Sequence, residues 1–462
     1  MHLAPRATAV LAALVGLLAL SGCAVVVLGR PSAGRPPAVD APPGAVTIVG
    51  ASADDPVDDL ARNALADLQT YWSQQFPDVF GRSFTPLRGG YFSVDPNNIA
   101  PALYPQGVGC GADPRDVENN AFYCRAPNTP HSDSISYDRA FLGELARDHG
   151  GFLPALVMAH EFGHAVQGRV GSPGPSILAE TQADCFAGAW SAWVADGHAA
   201  HSRLRPPELD QLLRGYFLLR DPVGTSPGQQ QAHGSFFDRV SAFQEGFDGG
   251  PTACRDRFGR DRVLTQGTFR DADLDTRGNA PYPVVVDIVD RSLPAVWSQA
   301  FRDVFHRRFS PPEVVPFDGE APPCADDAAQ DLVYCPDRRL VGYDETDLTH
   351  PAYELGDFAV ATAIALPYGE SVRDQLGLST GDKPAVRSSV CLTGWYAAKV
   401  FNREAGEQVR ISPGDIDESV TFLLTYGREP TVLPDVGLSG FQLVDLFRNG
   451  FVRGLAACHV GA

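Results

Sequence analysis

The chain has 462 residues, 44% of them hydrophobic, with 56 acidic against 37 basic side chains and a formal net charge of −19. So large an apolar share excludes an acidic disordered chain, and the acidic balance argues against a phosphate backbone as partner, so no nucleic-acid binding is expected. At about 100 to 200 residues per domain the length calls for more than one domain.

Residues 1–22 carry Arg6, an apolar run from Ala7 to Leu20, and the small residues Ser21 and Gly22. This is the pattern of a signal peptide, too short in its apolar stretch for a membrane span. Leu20-Ser21-Gly22-Cys23 resembles a bacterial lipobox, which implies cleavage before Cys23, a lipid on its sulfur, and an extracytoplasmic protein anchored to the cell membrane. The Pro-, Ala- and Gly-rich residues of 23–44 read as a flexible stalk.

Next in the chain comes an internal repeat. Trp72-Ser73-Gln74-Gln75-Phe76 returns as Trp297-Ser298-Gln299-Ala300-Phe301, and Arg82 with Phe84 returns as Arg307 with Phe309. Tyr123-Cys124 before Tyr137-Asp138 is echoed by Tyr334-Cys335 before Tyr343-Asp344. Further on, Cys185 and Gly188 match Cys391 and Gly394, and Gly246, Phe247 and Cys254 match Gly450, Phe451 and Cys458. Two domains are therefore expected, at 45–265 and 266–462, each with four equivalent cysteines. An even number of cysteines outside the cytoplasm suggests disulfides. Repeats that fold alike should bond alike, so the expected pairs are Cys110 with Cys124, Cys185 with Cys254, Cys324 with Cys335, and Cys391 with Cys458.

Within the first repeat Gly90-Tyr91-Phe92-Ser93-Val94 reads as a strand that could line a cleft. Downstream, Phe152, Leu153, Leu156 and Val157 give helical periodicity leading into His160-Glu161-Phe162-Gly163-His164. Spacing of four residues puts both imidazoles on one helical face, where they can share one Zn2+, and sets Glu161 beside the metal as the base for a water. Gly168, Gly171, Pro173, Gly174 and Pro175 then end the helix, and Ser176 is placed to cap a returning one. That hairpin can bring Glu180 back as third metal ligand, with Asp184 one turn later behind a ligating imidazole, fixing its tautomer.

These motifs resemble those of the bacterial neutral zinc metallopeptidases of the gluzincin type, most closely the actinobacterial lipoproteins of that group. The resemblance rests on His160 to Gln167, on Glu180 to Gly188, on Cys110 and Phe122-Tyr123-Cys124 before Tyr137-Asp138, and on His233-Gly234-Ser235 with Arg239, Phe243, Gly246 and Phe247. It implies an α+β fold: a helix-rich, zincin-like metallopeptidase domain, with a peptide or protein substrate, one zinc, and a closing helix near His233. His233 is a candidate to donate a hydrogen bond to the oxyanion formed from the scissile carbonyl.

The second repeat lacks this chemistry. His160 stands opposite Leu366, Glu161 opposite Pro367, His164 opposite Glu370, Glu180 opposite Val386 and Asp184 opposite Val390, while the Trp, Phe, Gly and Cys framework persists. A degenerate, inactive copy is expected, covering the first repeat's cleft or holding an envelope partner. The competing reading is a non-enzymatic scaffold lipoprotein whose zinc only holds a binding surface together. Glu161 disfavours it, because a structural zinc closed by four ligands has no use for a carboxylate placed to deprotonate water.

Overall fold

The computed structural model describes residues 25–27, 30–32, 38–53, 55–325, 327–406 and 409–461. Cys23 and the signal segment lie outside the described residues. Inside the expected stalk, β1 (Val25–Val27) pairs antiparallel with β2 (Arg30–Ser32), as the β-branched run Val25-Val26-Val27 favours. These strands belong to a unit of their own, Met1–Val39, and everything from Asp40 onward is one compact unit. The stalk's end is docked rather than free: the Ala41 amide donates to Asn63 Oδ1 at 2.7 Å, and Asn63 Nδ2 donates to Asp40 at 2.8 Å.

The compact unit is helix-rich α+β. It opens with β3 (Ile48–Val49) and the long α1 (Pro56–Phe80), whose start is set by the Asp55 cap and Pro56 and whose end is set by Gly81 in the left-handed region. Then come β4 (Gly90–Val94), β5 (Ala121–Cys124), β6 (Ser134–Asp138) and α2 (Arg139–His149). Three longer helices, α3 (Leu153–Val170), α4 (Ser176–Ala195) and α6 (Phe236–Asp256), pack together, with α5 (Pro206–Leu219) against them. The sheet order is β3-β4-β6-β5; β3, β4 and β6 run parallel, and β5 is an antiparallel edge.

Past residue 280 the order of elements is similar. α7 (Tyr282–Asp303) is followed by β7 (Glu313–Phe317), β8 (Leu332–Cys335) and β9 (Leu340–Asp344), a sheet of order β7-β9-β8 with β8 as its antiparallel edge. The one-turn α8 (His350–Tyr353) precedes α9 (Asp357–Leu376), α10 (Lys383–Phe401), α11 (Asp415–Thr425) and α12 (Gly440–Arg453).

The sulfurs pair as expected: Cys110–Cys124, Cys185–Cys254, Cys324–Cys335 and Cys391–Cys458. Cys185–Cys254 joins α4 to α6, and glycines let these helices touch backbone to backbone. A Cβ on Gly188 would stand 2.0 Å from the Phe243 carbonyl oxygen, and one on Gly246 1.8 Å from that of Cys185. Gly394 against Phe447 and Gly450 against Cys391 repeat the contact at 2.0 and 1.8 Å between α10 and α12.

The two halves do not hold separate cores; one apolar core runs through both. Their contacts are reciprocal. Phe237 meets Phe447 at 6.2 Å and Phe451 at 4.8 Å, and Phe441 meets Phe243 at 6.4 Å and Phe247 at 5.0 Å. Asp417 on α11 accepts from the Phe236 and Phe237 amides at the start of α6, at 3.1 and 2.8 Å. Asp210 on α5 accepts from the Gly440 and Phe441 amides at the start of α12, at 3.0 and 2.7 Å. Each half thus caps a helix of the other, as in an interface related by an approximate twofold axis.

Candidate metal centre

α3 and α4 form the expected hairpin. Gly171, at φ 98°, ends α3, and Pro175 rather than Ser176 stands at the start of α4, where it offers no side-chain cap. The hairpin brings His160, His164 and Glu180 together. His160 Nε2 lies 3.1 Å from His164 Nε2 and 3.1 Å from Glu180 Oε2, and His164 Nε2 lies 3.4 Å from the same oxygen.

The neighbours settle which nitrogens carry protons. His160 Nδ1 faces Asp184 Oδ1 at 2.8 Å, and a carboxylate only accepts, so Nδ1 donates. His164 Nδ1 faces Gln167 Oε1 at 2.9 Å. Gln167 Nε2 is spent on the Ala179 carbonyl at 2.6 Å and Gln182 Oε1 at 3.1 Å, so its oxygen is the atom turned to His164. In the neutral imidazoles both Nε2 atoms are therefore lone pairs, aimed at each other and at a carboxylate. Three electron-rich atoms at such distances repel unless a proton or a metal cation sits among them. A tetrahedral zinc site with bonds of 2.0 to 2.1 Å has edges of about 3.3 Å, which the three observed separations match. The donor set and its spacing fit zinc.

The field at the centre is strongly negative. Burial opposes charge on His160, but Asp184 and Glu180 outweigh it and push its pKa up to about 10. Burial likewise opposes ionisation of Glu180, and hydrogen bonds from His160 and His164 override it, holding the carboxyl well below its usual range. Asp184 is fully buried and still lowered, because Arg239 and His160 outweigh desolvation. Arg239, on α6, grips both oxygens of Asp184 at 2.8 and 2.9 Å, and its remaining nitrogen donates to the Leu219 carbonyl.

A cleft of about 800 Å³ opens over these atoms, walled by Tyr123, Glu161, Tyr216 and His233 besides His160, His164 and Glu180. Glu161 is held by the Tyr123 amide, which donates to its Oε2 at 2.7 Å, and burial pushes its pKa up. His233 is 46% exposed; its Nδ1 lies 3.2 Å from Asp221 Oδ1, and its amide donates to Asp221 at 2.7 Å.

The expected cleft strand is corrected. Gly90–Val94 is interior, between β3 and β6, and the edge that walls the cleft is β5. Sequence reasoning missed this because strand order is a tertiary property; the cue available was Tyr123-Cys124, which entered only through the repeat and the family resemblance. Gln167, Asp221 and Tyr216 were also missed, and Arg239 was only a letter in a helix pattern. Every residue walling the cleft belongs to the first half, so the expectation that the second half covers it is not met.

In the second half, Leu366, Val386 and Val390 are buried apolar side chains, Pro367 sits inside α9, and Glu370 accepts from the Gly381 amide at 3.0 Å. A different group of potential donors, Asp357, Asp415 and Glu418, stands at the starts of α9 and α11.

No family model matches the chain, and no solved structure matches it. The chain is 31% identical over 181 residues to the uncharacterized protein YpfJ of Escherichia coli K12, a match covering 33% of this chain and 58% of that one. It is 29% identical over 177 residues to the uncharacterized protein Rv2575 of Mycobacterium tuberculosis, covering 33% and 60%. The chain thus spans about 60% of the length of the curated relatives it matches.

Proposed function

We propose that this chain is an extracytoplasmic, lipid-anchored zinc metallopeptidase of zincin-like fold, with a catalytic first half and a degenerate tandem copy as its second. The observation that carries the reading is the convergence of the His160 and His164 Nε2 lone pairs on Glu180, with Glu161 beside them in an open cleft. A structural metal would be closed off by a fourth side chain; here the fourth direction meets the cleft.

His160, His164 and Glu180 would hold the zinc, which would supply Lewis-acid polarisation of a water and of the scissile carbonyl. Glu161 takes the proton of the attacking water and passes it to the leaving amine; its burial, which favours the protonated form, suits both transfers. His233, oriented by Asp221, donates toward the oxyanion. The β5 edge borders the cleft where an extended peptide could pair with it, as in strand addition, although its Ala121 and Tyr123 amides already donate to Asn120 and Glu161. Four disulfide pairs accord with an oxidising compartment, and among the described residues no helix is long and apolar enough to cross a membrane. Retained framework glycines and cysteines, with Leu366 and Val386 opposite His160 and Glu180 and with Glu370, opposite His164, bonded to the Gly381 amide, support the reading of the second half as an inactive copy.

The test is Glu161→Gln. The variant is expected to keep about one zinc per chain and to lose hydrolysis of casein or a mixed peptide library, by a factor of about 10² or more; His164→Ala should lose both metal and activity. Undiminished proteolysis by Glu161→Gln would refute the mechanism.

A further inference from the structure

Beside the metal cleft lies a second cavity, of about 470 Å³, walled by Arg82, Arg88, Arg125, Asp133 and Arg169 among others. Arg125 and Gly168 line both cavities, so the two adjoin. Arg169 is paired with Asp133 at 2.7 Å. Among the described residues the guanidinium groups of Arg82, Arg88 and Arg125 have no carboxylate partner. In a chain of net charge −19, three uncompensated arginines around one groove are a local reversal of sign. Gly168 helps to make it: a Cβ there would stand 2.7 Å from the Tyr123 hydroxyl and 3.2 Å from Arg125 Nη1, so the missing side chain leaves room for both at the boundary of the two cavities.

The second half is an internal control. Its Gln375 meets Ser310 as Arg169 meets Thr85: Gln375 Nε2 donates to the Ser310 carbonyl at 3.0 Å, and Arg169 Nε to that of Thr85 at 2.8 Å. In that register Arg169 becomes Gln375, Gly168 becomes Asp374 and Arg125 becomes Pro336, and Arg88 falls in Pro311-Pro312-Glu313, where there is no cation. Arg82 alone persists, as Arg307; both donate to the backbone carbonyl of the residue opposite, Arg169 or Gln375, which is a framework role. The other arginines disappear from the half that has lost the metal ligands, as groups needed only for substrate should.

We infer that this groove is an anion-binding subsite of the metal cleft, and that it takes a carboxylate of the peptide substrate through Arg88 and Arg125. The inference rests on the peptidase reading above and names its substrate class: peptides carrying a negative charge to one side of the scissile bond. Arg125 follows β5 directly, so a peptide paired along that edge runs on into the groove. Guanidinium forks match a carboxylate bidentately, whether it is an acidic side chain or the peptide's C-terminus.

The test reads binding separately from turnover. Fluorescein-labelled alanine–glycine peptides containing either two glutamates or two glutamines, each with a free or an amidated C-terminus, are titrated onto the full zinc-loaded chain carrying Glu161→Gln. The charged peptide is expected to bind at least about tenfold tighter than its neutral counterpart at low salt. Adding Arg88→Gln and Arg125→Gln should shrink that ratio to about twofold or less, with zinc content and circular dichroism kept. Preference that follows the side chain, or that follows the free terminus, supports the subsite and assigns the source of the carboxylate. Equal binding of charged and neutral peptides, or a preference that survives both substitutions, overturns it. A charge preference without hydrolysis by the unmodified chain would remove the peptidase reading and leave the subsite; hydrolysis without a charge preference would do the reverse.

Discussion

His160 is held in one tautomer by Asp184, and Asp184 in turn by both forks of Arg239. A buried carboxylate between an imidazole and a guanidinium raises the basicity of the imidazole's other nitrogen, here the one turned to His164 and Glu180, and fixes the direction of its lone pair. Asp184→Asn should therefore lower zinc affinity by about 10- to 100-fold, measured by chelator competition, while the folded structure survives. Zinc affinity equal to that of the unsubstituted chain would show that His160 needs no such orientation. The pair His160 and His164, with Glu161, was legible in the sequence because four-residue spacing on a helix fixes a shared face without reference to anything else. Gln167 was not legible as a partner of His164, since its role depends on which way its amide is turned, and that is set by Ala179 and Gln182 on the neighbouring helix.

Among elements, the starts of α9 and α11 bring three carboxylates into one buried cluster, with donor atoms within 4.8 Å of one another. Burial pushes the Asp357 carboxyl up to about 6. Burial and the neighbouring acids raise Asp415 and Glu418 well above their ordinary range. The folded protein thus keeps protons that the unfolded chain releases near pH 4, so the cluster's contribution is most favourable below that and is lost as pH rises through about 6. Glu418 Oε2 accepts from the Phe358 amide at 2.8 Å, a bond an amide oxygen can also make. Glu418→Gln should accordingly stabilise the protein at pH 7 by on the order of 1 to 3 kcal/mol and have little effect at pH 4. Urea unfolding of both proteins at the two pH values checks this; a variant less stable at pH 7 would contradict it. Three acids scattered over 62 positions of sequence gave no sign of meeting, because two different helix starts had to be packed side by side.

On the scale of the whole molecule the second half acts from behind the site. Asp417 caps α6, the helix that carries Arg239, and also takes Arg220 at 2.9 Å. Asp210 makes the reciprocal cap on α12, which carries no site residue. Losing either cap should cost about 1 to 2 kcal/mol of stability. Only Asp417→Ala should also weaken zinc binding, because it loosens the start of the helix that positions Asp184 through Arg239. Zinc titration of Asp417→Ala beside Asp210→Ala, both below their melting temperatures, separates the two effects. Equal zinc affinities would mean that the second half stabilises the first without reaching its metal centre.

The sequence by itself determined the helix that carries His160 and His164, the helix hairpin that returns Glu180, and the cysteine pairing, since each follows from local periodicity, chain breakers or the likeness of two stretches of the same chain. It also divided the letters of the first half into those that recur in the second, such as Gly188 and Cys185, and those that do not, such as His160 and Glu180. Only the tertiary structure decided that β5 and not β4 borders the cleft, that Arg239 locks Asp184, that the arginines converge on one groove, and that the halves share a core. Those facts depend on strand order and on helix faces meeting across more than 50 residues of chain, where burial of the Phe237 and Phe441 faces, rather than any local pattern, selects the arrangement.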